Sequence, residues 1–300
     1  MASTPTRRGR SGQLLLVAPA LAVLAVLMVG PLVLMGYVSF LERGEYGGVQ
    51  WDAWSAEAYL RFAFERDFDD TLLFNPDYLT IFARSFGLAV WTTLLALVIG
   101  LPTALFIAMQ PPGRRNVLVL LVTIPFWTNL LVRNYAWILL LRNNGLLDGL
   151  LRSLGITDQP LGILYTSTAV AIGLVYSYLP FMVLPIYASL EKMDLRLVEA
   201  AHDLYAGRWQ ALRRIVLPLA SPGIAAGCVL VFVPCLGAYV TPELLGGGKA
   251  LLIGNLIQNQ FGVARNWPFG AALGFALLAV VMVVMTAYSL RFRRGTEEER

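Results

Sequence analysis

The residues able to do covalent or metal chemistry are few in this 300-residue chain: one histidine, His202, and two cysteines, Cys228 and Cys235. A metal site gathers several His, Cys or carboxylate ligands at short spacing, and a lone histidine supplies none of that pattern. The cysteines stand in one apolar run, about 10 Å apart along a helix, too far for a disulfide, and read as packing residues. No GxxxxGK[ST] phosphate loop occurs, so nucleotide hydrolysis is not chemistry this chain performs. The sequence therefore predicts no catalytic residue, no metal and no cofactor. What remains is charge. Arg133 stands inside an apolar stretch, where an ionisable group is costly unless paired or wet. It lies toward one end of that stretch, so it either snorkels to an interface or has a functional role.

Such residues need a scaffold, and composition says which kind. The chain is 57% hydrophobic and only 14% charged, with mean hydropathy +0.66, whereas a soluble domain carries about 25% charged residues. It is short of the polar surface that would cover a soluble core, and it belongs in a bilayer. Runs of about 20 apolar residues cross the hydrocarbon layer as helices. Six occur: Leu14 to Val38, Ala83 to Met109, Val117 to Leu141, Leu161 to Leu190, Ser221 to Thr241 and Phe269 to Leu290. The first follows Arg7, Arg8 and Arg10, but it is longer than the roughly 7 to 15 apolar residues of a secretory signal and reads as a retained span. The expected fold is all-α: a polytopic membrane protein of six helices, with residues 1–300 forming one transmembrane domain.

Lysine and arginine resist translocation and so report orientation. With a cytoplasmic N-terminus, the cytoplasmic segments hold 14 basic residues against seven acidic ones, net +7, and the remainder holds nine against twelve, net −3. Both termini are then cytoplasmic, and the sequence pI of 9.2 reports topology rather than nucleic-acid binding. The acidic first external loop, with Glu42, Glu45, Asp52, Glu57, Glu65, Asp67, Asp69, Asp70 and Asp77, either is simply solvated or concentrates cationic solutes. Asp158 is also external, and Glu297, Glu298, Glu299 and Arg300 form a solvated tail.

Leu146, Leu147, Leu150, Leu151 and Leu154 mark a helical face for the outer interface. Between Thr241 and Phe269, Gly246 to Gly248 permit a tight reversal, and the apolar residues from Leu251 onward predict a short helix dipping back toward the membrane. Prolines interrupt the first five spans at Pro19, Pro31, Pro102, Pro125, Pro180, Pro185 and Pro234. Each removes an intrahelical bond, which suits a bundle enclosing a solvated path.

The most specific stretch is cytoplasmic, Glu191 to Ala220, too long for a plain hairpin connection. Leu195, Val198, Ala201, Leu204 and Tyr205 recur at helical spacing, Gly207 can end that helix, and Trp209 to Val216 can form a second one that excludes Pro218 from its interior. Two short helices bent at a glycine make a knob that fits a groove on a soluble partner. An amphipathic loop lying on anionic headgroups, favoured by Arg208, Arg213 and Arg214, is the alternative.

Glu199, Ala200 and Ala201, followed at the expected distance by Ile215, Leu217 and Pro218, resemble the EAA loop of permease subunits of binding-protein-dependent ABC importers. The stretches PFWTNLLVRNYAWILLLRNNGLL from Pro125, YSYLPFMVLPIYASLEKMD from Tyr176, and GAYVTPELLGGGK to NWPFGAALGFAL from Gly237 are similar to the spermidine/putrescine permeases of that family. One departure stands out: the family's glycine four residues after the second alanine is Tyr205 here, with Gly207 two positions later.

The resemblance implies the type I importer permease fold, a bacterial inner-membrane location, and partners: a dimer of cytoplasmic ATP-binding subunits, a second permease, a periplasmic solute-binding protein and membrane lipid, with no nucleic acid. It implies that Glu199, Ala200, Ala201, Asp203, Gly207, Ile215, Leu217 and Pro218 couple to the ATPase. It also implies a small cationic passenger, spermidine or putrescine or another small solute. Polyammonium solutes favour carboxylates and aromatic faces. Trp127, Tyr135, Trp137, Tyr176, Tyr178, Tyr239 and Glu243 are the candidates for the path, with Arg133 for a gate. The competing class, an ion-gradient transporter, needs buried carboxylates, and the spans hold Asp or Glu only near their ends.

Overall fold

The computed structural model describes residues 9–66, 72–157, 159–194, 196–249 and 251–297. Arg7, Arg8, Asp67, Asp69, Asp70, Asp158, Leu195, Glu298, Glu299 and Arg300 lie outside the described residues. The chain is mainly helical. Among the described residues, five helices are long and apolar enough to cross a membrane, and a bent pair brings the number to six. Two compact units are formed, Met1–Asn75 with Asn259–Ala276, and Pro76–Gln258 with Leu277–Arg300.

The first unit opens with α1 (Gly9–Val38), which carries Pro19 and Pro31 and leaves Leu21 to Leu34 largely exposed, as a helix facing lipid does. The acidic loop is not a featureless connection. It holds an antiparallel hairpin of β1 (Leu41–Arg43) and β2 (Val49–Trp54), a turn of helix α2 (Glu57–Leu60), and a second hairpin of β3 (Phe64–Arg66) and β4 (Leu72–Phe74). Leu41 pairs with Trp54 and Arg43 with Val49. The first hairpin turns through Gly47 and Gly48, both at positive φ, where an L side chain is strained. A Cβ on Gly47 would also stand 2.6 Å from the Cβ of Arg265. Arg43 Nη2 donates to the Ala264 carbonyl at 3.0 Å, and the Gly48 N–H to that of Arg265 at 2.7 Å. Tyr37 packs its ring against Trp51 and Trp54, with centroids 6.3 and 5.1 Å apart.

The second unit is built on three packed helices: α3 (Asp77–Ala108), α7 (Ser167–Leu190) and α10 (Leu217–Gly237). Lipid gives apolar side chains no hydrophobic drive to associate, so close backbone approach and dispersion must hold such helices together, and small residues permit it. Ala96, Ala104 and Ala220 are fully buried in this core beside Met182, Val183 and Ile186. A Cβ on Gly100 would come within 2.8 Å of Met182 Cγ, and one on Gly227 within 2.9 Å of Met182 Sδ. One on Gly223 would meet the carbonyl oxygen of Pro185.

The third apolar run, expected as one helix from Val117 to Leu141, is two: α4 (Pro112–Trp127) and α5 (Leu130–Leu141). The chain bends by 91° between 112–127 and 130–153. Pro125 supplies no N–H to the ladder, Thr128 and Asn129 turn extended, and the Asn129 side chain accepts the Leu131 N–H as a new N-cap. After α5 comes α6 (Leu146–Ser153), where Leu146, Leu150 and Leu154 are exposed and Asp148 is buried, accepting the N–H groups of Asn144 and Leu161.

The fourth and fifth helices start and stop away from their expected limits. The fourth begins at Ser167, capped by Thr166, and the fifth runs Leu217–Gly237 rather than to Thr241. Two short helices then follow, α11 (Val240–Gly246) and α12 (Ile253–Phe261), with Gly247 left-handed between them. Last comes α13 (Trp267–Glu297).

Candidate functional site

The stretch between α7 and α10 folds as a bent knob. Asp194 Oδ1 accepts the Arg196 N–H at 3.0 Å and opens α8 (Arg196–Asp203). That helix ends by bonding the Ala206 N–H to the Ala201 carbonyl and the Tyr205 N–H to that of His202, both at 2.9 Å. These are the two bonds of a Schellman ending, and they require a left-handed residue at Tyr205, whose φ is 61°. Gly207, expected to end the helix, is instead extended at φ −66° and ψ 159°. Its N–H donates to Gln210 Oε1, making it the N-cap of α9 (Arg208–Ala211).

Beyond α9 the helix does not stop. A π turn at Leu212–Val216 leads directly into α10, so residues Arg208–Gly237 are one continuous rod. The expectation that Pro218 falls outside this helix is corrected. Pro218 has no N–H to offer and its ring crowds the carbonyl four residues back; the π turn ends two residues before it.

Packing divides the knob's residues. Ala201 on α8 and Ala211 on α9 are buried, Val216 is buried in the core of the packed helices, and Val198, Ile215 and Leu217 are half-buried. Leu197, Leu204, Tyr205 and Trp209 are exposed, Tyr205 at 97%, so the apolar stripe read from the sequence splits into an inner part and an outer one. Around these lie exposed Glu199, Ala200, Asp203, Arg208, Arg213, Arg214 and Pro218. Among the described residues Glu199 and Asp203 make no side-chain hydrogen bond or ion pair. Apolar anchors ringed by free charges of both signs are the surface a soluble partner's groove recognises.

One residue at the knob's base was not singled out from sequence. Arg115, in the first turn of α4, pairs with Glu191 at 3.2 Å just after α7 and donates to the Ala108 carbonyl at 3.3 Å at the end of α3. It ties three helix ends together where the knob begins. Its signal lay only in the pairing of two distant charges.

The path candidates fall into groups. On α5, Arg133 Nε and Nη1 are buried with no partner in the described residues, within electrostatic range of Tyr178 on α7. Trp137 meets Tyr176 edge-on at 5.5 Å. On α11, Glu243 sits one turn after Tyr239, and its N–H donates to the Tyr239 carbonyl. Helices α5, α7 and α11 converge at Gly173, where a Cβ would stand 2.9 Å from Thr241 Cγ2. Trp127 at the bend and Tyr135 are exposed, Trp127 at 85%, and are not brought to this convergence. Sequence reasoning passed over Asn255 on α12, 3% exposed, whose Nδ2 donates to Glu243 Oε2 at 2.7 Å and to the Tyr239 carbonyl at 3.0 Å. A buried asparagine in a glycine-bounded apolar helix was the available clue.

A family model described as the binding-protein-dependent transport system inner membrane component matches residues 96–294. The chain is 44% identical over 218 residues to the spermidine/putrescine transport system permease protein PotB of Haemophilus influenzae, covering 73% of this chain and 76% of that protein. It is 45% identical over 218 residues to PotB of Escherichia coli K12, covering 73% and 79%. Among solved structures, a chain of a bacterial ABC transporter involved in the import of the acidic polysaccharide alginate matches at a TM-score of 0.74 over 96% of each chain, with 17% identity, a likeness of fold. With the apolar helices, these matches place the chain in the inner membrane as a multi-pass protein, a member of the family of binding-protein-dependent transport system inner membrane components.

Proposed function

We propose that this chain is a permease subunit of an ATP-driven importer for spermidine and putrescine. It works with a dimer of ATP-binding subunits, a second permease and a periplasmic solute-binding protein, and hydrolyses no ATP itself. The observation that carries the reading is the similarity to two polyamine permeases across nearly three quarters of the chain. The free apolar and charged surface of the knob supports it independently.

In this reading the knob, Glu191 to Ala220, faces the cytoplasm with both termini, as the positive-charge bias favours. Glu199, Ala200, Ala201, Asp203, Gly207, Ile215, Leu217 and Pro218 form or support the ATPase-docking element. Closure of the ATPase displaces the knob as a rigid body, because Ala201 and Ala211 lock α8 onto α9 and Arg115 anchors its base. Since α9 and α10 are one rod, displacement at Trp209 is delivered into α10, which packs on α3 and α7. The ATPase shifts the permease only through contacts that differ between its two states. The passenger's route runs along the convergence of α5, α7 and α11, lined by Tyr176, Tyr178, Tyr239 and Glu243, with Arg133 as a gate; Trp127 and Tyr135 flank the bend.

Uptake of radiolabelled putrescine and spermidine by cells expressing the four components tests the substrate. Glu199→Arg tests the coupling: the ATPase should no longer co-purify while membrane insertion is retained, and normal uptake in that variant would refute the docking role. Asp203→Cys, in a background where Cys228 and Cys235 are serine, should react with a membrane-impermeant maleimide only after the inner membrane is opened. Labelling of intact spheroplasts would reverse the orientation.

A further inference from the structure

Among the described residues no cation holds the carboxylate of Glu243, and its neighbour Asn255 is left with an unused acceptor. Asn255 Nδ2 spans Glu243 Oε2 and the Tyr239 carbonyl, two groups that can only accept. The amide orientation is therefore set: the flipped rotamer would press Oδ1 against both acceptors. Asn255 Oδ1 is consequently buried without a donor among the described residues. A buried acceptor left unmade destabilises the fold that holds it.

The amide cannot swing away to find water. One residue earlier, a Cβ on Gly254 would stand 2.5 Å from the Ala238 carbonyl, so the first turn of α12 lies directly on the joint between α10 and α11. The Ile253 N–H donates to Ser85 Oγ at 2.8 Å, fixing the same turn to α3. Asn255 thus keeps its amide on the carboxylate of Glu243, whose Oε1 makes no hydrogen bond among the described residues, and Tyr239, 48% exposed, stands one turn before Glu243 along the chain. The cluster has a surplus of acceptors, one negative charge and an open aromatic face. A primary ammonium supplies what is missing: three N–H donors, a positive charge, and a partner for the ring.

We propose that Glu243 and Asn255, with the face of Tyr239, form a subsite for one terminal ammonium of the passenger. This rests on the polyamine reading above and adds the atoms that hold the ligand: Glu243 Oε1 and Asn255 Oδ1 accept, and Asn255 Nδ2 keeps the carboxylate oriented. A bare metal cation would use the same oxygens but not the ring.

The test uses the whole importer, both permeases with the ATPase and the solute-binding protein, in proteoliposomes. Glu243→Gln keeps the shape and the bond from Asn255 Nδ2 and removes the charge. It should lower kcat/KM for putrescine uptake about 10- to 100-fold, the range of a lost charge-assisted hydrogen bond. Asn255→Leu should fall in the same direction, and Glu243→Asp less. Assembly is checked by co-purification of all components, so a folding defect is visible separately. N-acetylputrescine, which lacks one ammonium, should be the poorer substrate for the unaltered importer, and Glu243→Gln should narrow that preference. If the unaltered importer takes up putrescine and both Glu243→Gln and Asn255→Leu stay within threefold of it, the subsite is refuted and the polyamine reading stands. If the unaltered importer carries no polyamine, both fall. A strict requirement of uptake for sodium or potassium, lost in Glu243→Gln, would assign the site to a metal cation and overturn the proposal.

Discussion

Tyr205 stands in a left-handed backbone conformation, and replacing it with glycine should strengthen the knob while weakening its grip on a partner. The left-handed region costs an L residue about 1–2 kcal/mol, and Tyr205, at φ 61°, makes no compensating packing because its side chain is 97% exposed. Glycine carries no such penalty but is freer in the unfolded chain, at about 0.5–1 kcal/mol. The difference leaves a gain of about 0.5–1 kcal/mol in closing the turn between α8 and α9. One kilocalorie is about a fivefold change in an opening equilibrium, so amide exchange in the peptide spanning Leu204 to Gln210 should slow by about two- to fivefold. The same change deletes an exposed aromatic ring, and truncating an interface anchor of that kind costs about 2 kcal/mol or more in binding. Tyr205→Ala separates the effects, since it loses the ring but keeps the Cβ that makes the turn strained. Hydrogen exchange of the purified permease in nanodiscs reads the first effect, and titration with the ATP-binding subunit reads the second. Equal exchange rates for Tyr205→Gly and Tyr205→Ala would refute the strain argument. Undiminished ATPase affinity in both would remove Tyr205 from the docking surface.

The other expectations concern packing and linkage. Gly223→Ala should lower the thermal midpoint of the purified protein, by about 1–3 kcal/mol of overpacking, because its Cβ meets the Pro185 carbonyl; Gly113→Ala, where nothing lies within 4 Å, is the control that should leave the midpoint unchanged. Arg115→Ala should change global stability by no more than about 1 kcal/mol, as expected for a partly exposed ion pair, yet should increase exchange at Glu191 to Asp194, which mass spectrometry can localise. Pro218→Ala should let the π turn at Leu212–Val216 relax toward regular α-helix, seen as stronger protection of the amides after Leu217.

Much of the membrane architecture was legible because twenty apolar residues in sequence have few places to go. The knob was legible from the spacing of Glu199, Ala201 and Pro218, and Tyr205 was visible as a departure. That the bend stays at Tyr205 rather than moving to Gly207 follows from two backbone bonds closing on Ala201 and His202, which no composition rule reports. The bend at Thr128 and Asn129 had its signals, a proline followed by a capping residue, but they lay inside an apolar run whose length argued for one span. The hairpins of the first loop were also written locally, in Gly47, Gly48 and the strand-forming residues Val49 to Trp54, beneath a conspicuous excess of acid. Arg115 with Glu191, and Asn255 with Glu243, depend on residues 76 and 12 positions apart meeting in space, and only the packed helices bring them together.

The uninterrupted helix from Arg208 to Gly237 also constrains how such a protein can change over generations. A substitution that rotates its outer end to suit a different ATPase turns its inner end within the lipid by the same angle. Variation at the docking surface and variation in the membrane core are therefore mechanically yoked. Exchanging the motor of one importer for that of another should demand compensating replacements tens of ångströms away, at Gly223 and Gly227, where the rod lies against Pro185 and Met182 with no room for a Cβ.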